Sequence, residues 1–196
     1  MREKWIVEAK KGDFNGLSAK LKVSPLAVRC LMNRGVESEQ EMQEFLYGTL
    51  DDLHDPFLMK GMDEAVREIV KAREQGRKVA IASDFDCDGI FSAYILWKGF
   101  QKIGLDSEIF TPDRVKEGYG LNRRIVDEAL AGGRDFLVTC DNGIAANEEV
   151  DYAKKLGMTV IVTDHHEVQE QMPAADVVLD PKRDDETYPF HGLCGA

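Results

Sequence analysis

Val79-Ala80-Ile81-Ala82-Ser83-Asp84-Phe85-Asp86-Cys87-Asp88-Gly89 decides the fold. A short apolar run with no charge reads as a buried strand. It stops abruptly at three alternating aspartates and a glycine, where a tight turn can open a helix. The same grammar recurs twice downstream. Phe136-Leu137-Val138-Thr139-Cys140 leads into Asp141-Asn142-Gly143, and Thr159-Val160-Ile161-Val162-Thr163 leads into Asp164-His165-His166. Between and around these lie amphipathic stretches at 90–103, 122–131 and 145–156, with further strand candidates at 108–111 and 177–179. Apolar strands alternating with helices of that length predict βαβ units: an α/β fold with a mostly parallel sheet and helices on both faces.

Ahead of this lies a different texture. Residues 1–60 read as a small helical region, and 61–196 as the α/β domain. Ser24-Pro25 is a helix start, with Ser as N-cap and Pro in the first helical position, and Arg34-Gly35 is its end. Ser38 and Glu41 form a capping-box pattern that opens a second helix through Met42, Phe45 and Leu46. The stretch 50–63 is a turn-rich connector. Ala65, Ile69 and Ala72 then space out a helix over 62–75.

Composition narrows the function. Of 196 residues, 43% are hydrophobic and 31% charged, as in a soluble globular protein. No apolar run approaches the ~18 residues of a membrane span, and the opening MREKWIVEAKKGD lacks the apolar core of a secretory signal. The four cysteines form no CxxC pair, which argues against a structural zinc site and a disulfide framework and points to a reducing cytoplasm. The net charge of −11 is the reverse of the basic surface expected of a nucleic-acid binder. Carboxylates that hold divalent cations, however, are counted in it as bare charge.

In an open α/β sheet, ligands bind beyond the carboxyl ends of the strands, so the three acidic clusters should converge on one edge. Five aspartates and two histidines brought together there would repel one another unless cations sat among them. Oxygen donors with one or two imidazoles suit Mg²⁺ or Mn²⁺. Two such ions ~3.5–4 Å apart are the usual apparatus for in-line attack on a phosphodiester. Each cluster alone has an ordinary reading: a helix cap, a turn, a surface histidine pair. Three sharper alternatives fail on a required residue. An EF-hand loop starting at Asp84 would need Glu where Ile95 stands. A haloacid-dehalogenase phosphatase would need Thr or Val in place of Asp88. A zincin would need a second histidine three residues beyond His166-Glu167, where Glu170 stands.

SDFDCDG, CDNG and TDHH, in this order, resemble the first three motifs of the DHH phosphoesterases. Thr111-Pro112-Asp113-Arg114 with Glu117-Gly118-Tyr119-Gly120-Leu121, Leu53-His54-Asp55-Pro56, and the tail from Asp180-Pro181-Lys182 to Gly192-Leu193-Cys194-Gly195-Ala196 resemble the RecJ branch in particular. The resemblance implies a 5′-to-3′ exonuclease of single-stranded DNA working by two-metal hydrolysis in repair and recombination, with replication or repair proteins as further partners. By motif position it implies one metal each for Asp86 and Asp88, a bridge at Asp141, a second-metal ligand at His165, and a phosphate contact at His166. Asp84 and Asp164 are implied as orienting groups. Arg114, Tyr119, Asn142 and Gly143 are implied as substrate contacts. Ala82 stands where some members carry a histidine. The fourth-motif aspartate is expected beyond Ala196, so that residues 61–196 form a truncated domain, weak in metal binding and in catalysis. A small-substrate DHH phosphodiesterase, for oligoribonucleotides or cyclic dinucleotides, is the enzyme alternative. A non-catalytic DNA-binding scaffold is the other.

Overall fold

The computed structural model describes residues 10–196; residues 1–9, which open the expected helical region and the stretch read as free of a signal, lie outside it. The chain divides into two compact units, one ending at His54 and one spanning Asp55–Ala196.

The first unit holds α1 (Phe14–Leu21), α2 (Pro25–Asn33) and α3 (Glu39–Tyr47). Ser24 caps α2 through the Ala27 N–H with Pro25 at the first position, and Ser38 with Glu41 closes the expected reciprocal box on α3. Leu21, Val28, Leu31, Met32 and Met42 form a small core of this unit. α1, capped by Asp13, turns Phe14, Leu17 and Leu21 onto this core at i, i+3, i+7 spacing, and the sequence reading does not single it out.

The second unit opens with α4 (Met62–Glu74) and continues β1 (Val79–Ser83), α5 (Cys87–Lys102), β2 (Ser107–Phe110), α6 (Arg123–Ala131), β3 (Phe136–Cys140), α7 (Asn147–Lys155), β4 (Thr159–Thr163) and β5 (Val177–Leu179). The turn-rich connector contains two single 3₁₀ turns, Leu50–Asp52 and Pro56–Leu58. All strand pairs are parallel, in the order β2-β1-β3-β4-β5.

Strand alternation sorts the core into two faces. Val79, Ile81, Phe136, Val138 and Ile161 pack with Ala65 and Ala72 of α4 and Ala93 and Phe100 of α5. Ala80, Ala82, Leu137, Val160 and Val162 pack with Ile125, Val126 and Ala129 of α6 and Val150 and Ala153 of α7. With helices on both faces, the central strands are buried on both sides, which is why they read as unbroken apolar runs. The chain leaves β1 toward β2 on one side and returns to β3 on the other. The point of reversal lies between β1 and β3, where a crevice opens beyond the strand ends. The Asp84 and Asp141 clusters follow those two strands, and Asp164 follows the adjacent β4.

Candidate metal centre

The three clusters meet. Donor atoms of Asp84, Asp86 and Asp141 lie within 4.8 Å of one another, as do those of Asp141, His165 and His166. Asp141 is common to both groups. Its Oδ1 is 2.9 Å from His165 Nε2, and Asp88 Oδ2 approaches the same nitrogen at 3.4 Å.

Local folding explains how each side chain is aimed. Asp86 is the N-cap of α5, its Oδ1 accepting the Asp88 and Gly89 N–H groups at 2.9 and 3.1 Å. The helix therefore begins at Cys87 and not at residue 90. Gly89 lets this first turn close onto the strand end: a Cβ there would lie 2.5 Å from the Asp84 carbonyl oxygen. Asp141 sits in the left-handed region at φ +60, which turns the chain sharply out of β3. Asp164 is a hub. Its Oδ2 accepts the Ile144 N–H at 2.9 Å, and its Oδ1 accepts the His165 N–H at 2.8 Å and sits 2.7 Å from His166 Nδ1.

Electrostatics follow from this crowding. Burial first, and then the charges of Asp88 and Asp86, push the Asp141 carboxyl up to about 6, against the opposing pull of His165. Burial and the surrounding aspartates, Asp164 and Asp141 foremost, raise the Tyr119 phenol well above its ordinary range, so it stays a donor. It donates to the Asp141 carbonyl oxygen at 2.7 Å. Burial lowers the His166 imidazole, and the Asp164 carboxylate more than reverses this. Asp84 is 1% exposed and its Oδ1 has no hydrogen-bond partner. A buried carboxylate oxygen left bare among other acids is costly, and a cation is what would satisfy it. The residues thus fit a hard divalent ion or a pair of them: carboxylate oxygens and imidazole nitrogen, with no thiolate in either donor group.

The remaining expected residues fall into two sets. Tyr119 and Arg114 are exposed near this edge, the guanidinium 5.1 Å from the ring of Phe85 in the first cluster. Arg124, held by Glu117 and Glu128, bonds the Thr111 carbonyl oxygen and ties down the intervening loop. Gly143 lines the cleft beside Tyr119 and His166, whereas Asn142 is placed differently from its expected substrate role. Asn142 is fully buried; its amide donates to the carbonyls of Ala82 and Cys140 and accepts the Leu121 N–H. That side chain has no donor left for a substrate and acts as a brace between strand ends. Gly143, at φ +113, is also buried, and a Cβ there would lie 2.6 Å from Thr139 Oγ1. Ala82 lies inside the sheet face packed by α6 and α7. Two features escaped the sequence reading. Gly195 N–H reaches Asp88 Oδ2 at 2.8 Å, and Asp180 is a fully buried aspartate at the end of β5.

Residues 78–196 match the DHH family, N-terminal domain. This chain belongs to the DHH family. The DHH chain is 36% identical over 194 residues to the single-stranded-DNA-specific exonuclease RecJ of Bacillus subtilis, covering 98% of this chain and 25% of that protein. It is 34% identical over 173 residues to the enzyme of the same name from Escherichia coli, covering 88% and 29%. Among solved structures, an exonuclease RecJ bound to manganese superposes with a TM-score of 0.61 at 33% identity, covering 66% of this chain and 33% of that one. RecJ of Thermus thermophilus in complex with Mn²⁺ gives 0.64 at 27% identity, covering 89% and 24%. The DHH chain therefore spans about a quarter of the length of the curated relatives it matches. Among the described residues, no helix is long and apolar enough to cross a membrane.

Proposed function

We propose that this DHH chain forms the metal-binding part of a RecJ-like, single-stranded-DNA-specific 5′-to-3′ exonuclease that acts in the cytoplasm in repair and recombination. The observation that carries the reading is the sharing of Asp141 between two donor groups at the ends of β1, β3 and β4. Asp84, Asp86 and Asp141 would hold one Mn²⁺ or Mg²⁺, and Asp141, His165 and Asp88 a second. The bare Asp84 oxygen adds it to the ligands, beyond the orienting role implied by its motif position. When bound, the ions supply Lewis acidity toward the phosphoryl oxygens and an activated water. His166, fixed by Asp164 through Nδ1 and half exposed, has its Nε2 3.4 Å from the Tyr119 hydroxyl, and from that nitrogen it can donate to a phosphoryl oxygen. Arg114 and the exposed Tyr119 ring stand near the same edge as a phosphate fork and a stacking surface. Asp164 positions both histidines. The domain assignment follows the same reading: a helical lead-in over 1–60 and the catalytic domain from 61.

A single-stranded-DNA substrate is favoured over a cyclic dinucleotide because the likeness to the Bacillus subtilis exonuclease extends through the helical lead-in as well as the motifs. The test is single-turnover cleavage with Mn²⁺ by a full-length protein carrying these residues. A 5′-phosphorylated single strand, its duplex, a short oligoribonucleotide and a cyclic dinucleotide are offered in parallel. Shortening of the single strand from its 5′ end, with the others spared, is expected. Preferential hydrolysis of the cyclic dinucleotide or the oligoribonucleotide would overturn the assignment.

A further inference from the structure

Asp180 is a strand-end carboxylate that neither donor group includes. Parallel pairing of β4 and β5 sets Thr163 beside Leu179, and the Asp164 N–H donates to the Leu179 carbonyl oxygen at 3.0 Å. The next residues in register, Asp164 and Asp180, thus leave the sheet side by side. Asp180 is fully buried. Its Oδ1 accepts the Lys182 N–H at 2.8 Å, closing an ordinary aspartate turn. Its Oδ2 has no partner. The turn accounts for one oxygen and leaves the other buried and bare, a costly state that calls for a donor.

His165, half-buried at the end of the neighbouring strand, has a ring nitrogen to offer. Its Nε2 faces Asp141 and Asp88, the side on which a cation would be held. Its Nδ1 makes no hydrogen bond among the described residues. An imidazole that ligates a cation through one nitrogen carries its proton on the other. That N–H is almost always held by a carboxylate, a carbonyl or a water, which fixes both tautomer and ring orientation. His165 is within electrostatic reach of Asp180, acting with Lys182 against the upward push of burial and of Asp164.

We infer that Asp180 is a positioning residue that accepts the Nδ1–H of His165, directly or across one water, and so keeps Nε2 free for the cation. The inference rests on the metal-centre reading above. It gives a reason for a carboxylate at the end of β5 that turn formation alone does not supply.

The test combines Mn²⁺ calorimetry on the wild-type chain, Asp180→Ala and Asp180→Asn with ¹⁵N NMR of the wild-type chain loaded with diamagnetic Mg²⁺. Asp180→Ala should weaken Mn²⁺ binding by about 10- to 100-fold. Asp180→Asn, which keeps a carbonyl acceptor, should restore most of that loss. In the Mg²⁺-loaded wild type, His165 should show a proton on Nδ1 that exchanges slowly with water. Mn²⁺ affinity in Asp180→Ala within about twofold of wild type would overturn the inference. So would an Nδ1 that carries no protected proton, and this measurement decides the matter if the alanine variant does not fold. Absence of Mn²⁺ binding by the wild type is a separate result: it removes the metal centre itself, and the inference with it.

Discussion

Replacing Asp141 by asparagine is expected to abolish hydrolysis and to raise the stability of the metal-free chain. The two effects have one origin. Asp141 is the donor shared by both groups, so its loss strikes both cation positions at once. Removing a group that merely orients a ligand typically costs ~10- to 100-fold in metal affinity, and loss of a shared direct ligand should exceed that. Asparagine is the cleaner replacement because it tolerates the left-handed backbone at this position, where an alanine would add strain. The stability effect has the opposite sign. The folded-state carboxyl titrates at about 6, above its ordinary 3.8. The folded state therefore holds this proton more tightly than the unfolded state. Stability falls as pH rises from about 4 to about 6, and the full cost remains at pH 7. Asparagine has no such cost. In chelator the variant should melt several degrees above wild type at pH 7, each kcal/mol being worth ~2–4 °C at this size. The two should converge near pH 4. Calorimetric Mn²⁺ titration and melts at both pH values check the pair of effects. Unchanged Mn²⁺ affinity would remove Asp141 from the site.

The second large effect separates catalysis from binding. His166→Ala should leave Mn²⁺ affinity nearly intact and lower turnover by ~100- to 1,000-fold, the usual cost of removing one preorganised donor to a developing oxyanion. The motivation is its placement: Nδ1 is occupied by Asp164, and the ring is half exposed, edge-on to Tyr119. DNA affinity should change far less, since phosphate contacts spread over the surface dominate it. The structure also allows the opposite assignment, because His166 falls within the donor group of Asp141 and His165. Calorimetry beside single-turnover cleavage decides. Joint loss of metal and activity would make His166 a ligand, and loss of neither would place the histidine pair outside the reaction centre.

The central fold was legible because doubly buried strands leave an unmistakable trace. VAIAS, FLVTC and TVIVT are apolar on both faces, and each ends in the residues that form the site. The strand-end rule then places the clusters together without any knowledge of side-chain directions. What was not legible depends on those directions. Asn142 sits in a cluster that reads as a turn facing the ligand, yet its amide points back between β1 and β3. Asp180-Pro181 reads as the end of a strand, and nothing in a dipeptide of that kind announces a bare buried oxygen. Gly195 lies 107 residues from Asp88, with which it bonds, so no local pattern could join them. The boundary of α5 was missed for a related reason: the carboxylates of the first cluster serve as both site and helix cap, and the cap moves the helix start to Cys87.

The most direct test of the two-cation reading is anomalous diffraction at the manganese edge from crystals of the chain soaked in millimolar Mn²⁺. Two peaks separated by ~3.5–4 Å are predicted. Both should touch Asp141, one lying toward Asp84 and Asp86 and the other toward His165 and Asp88. Peaks elsewhere on the surface, with none within ligand distance of Asp141, would contradict it.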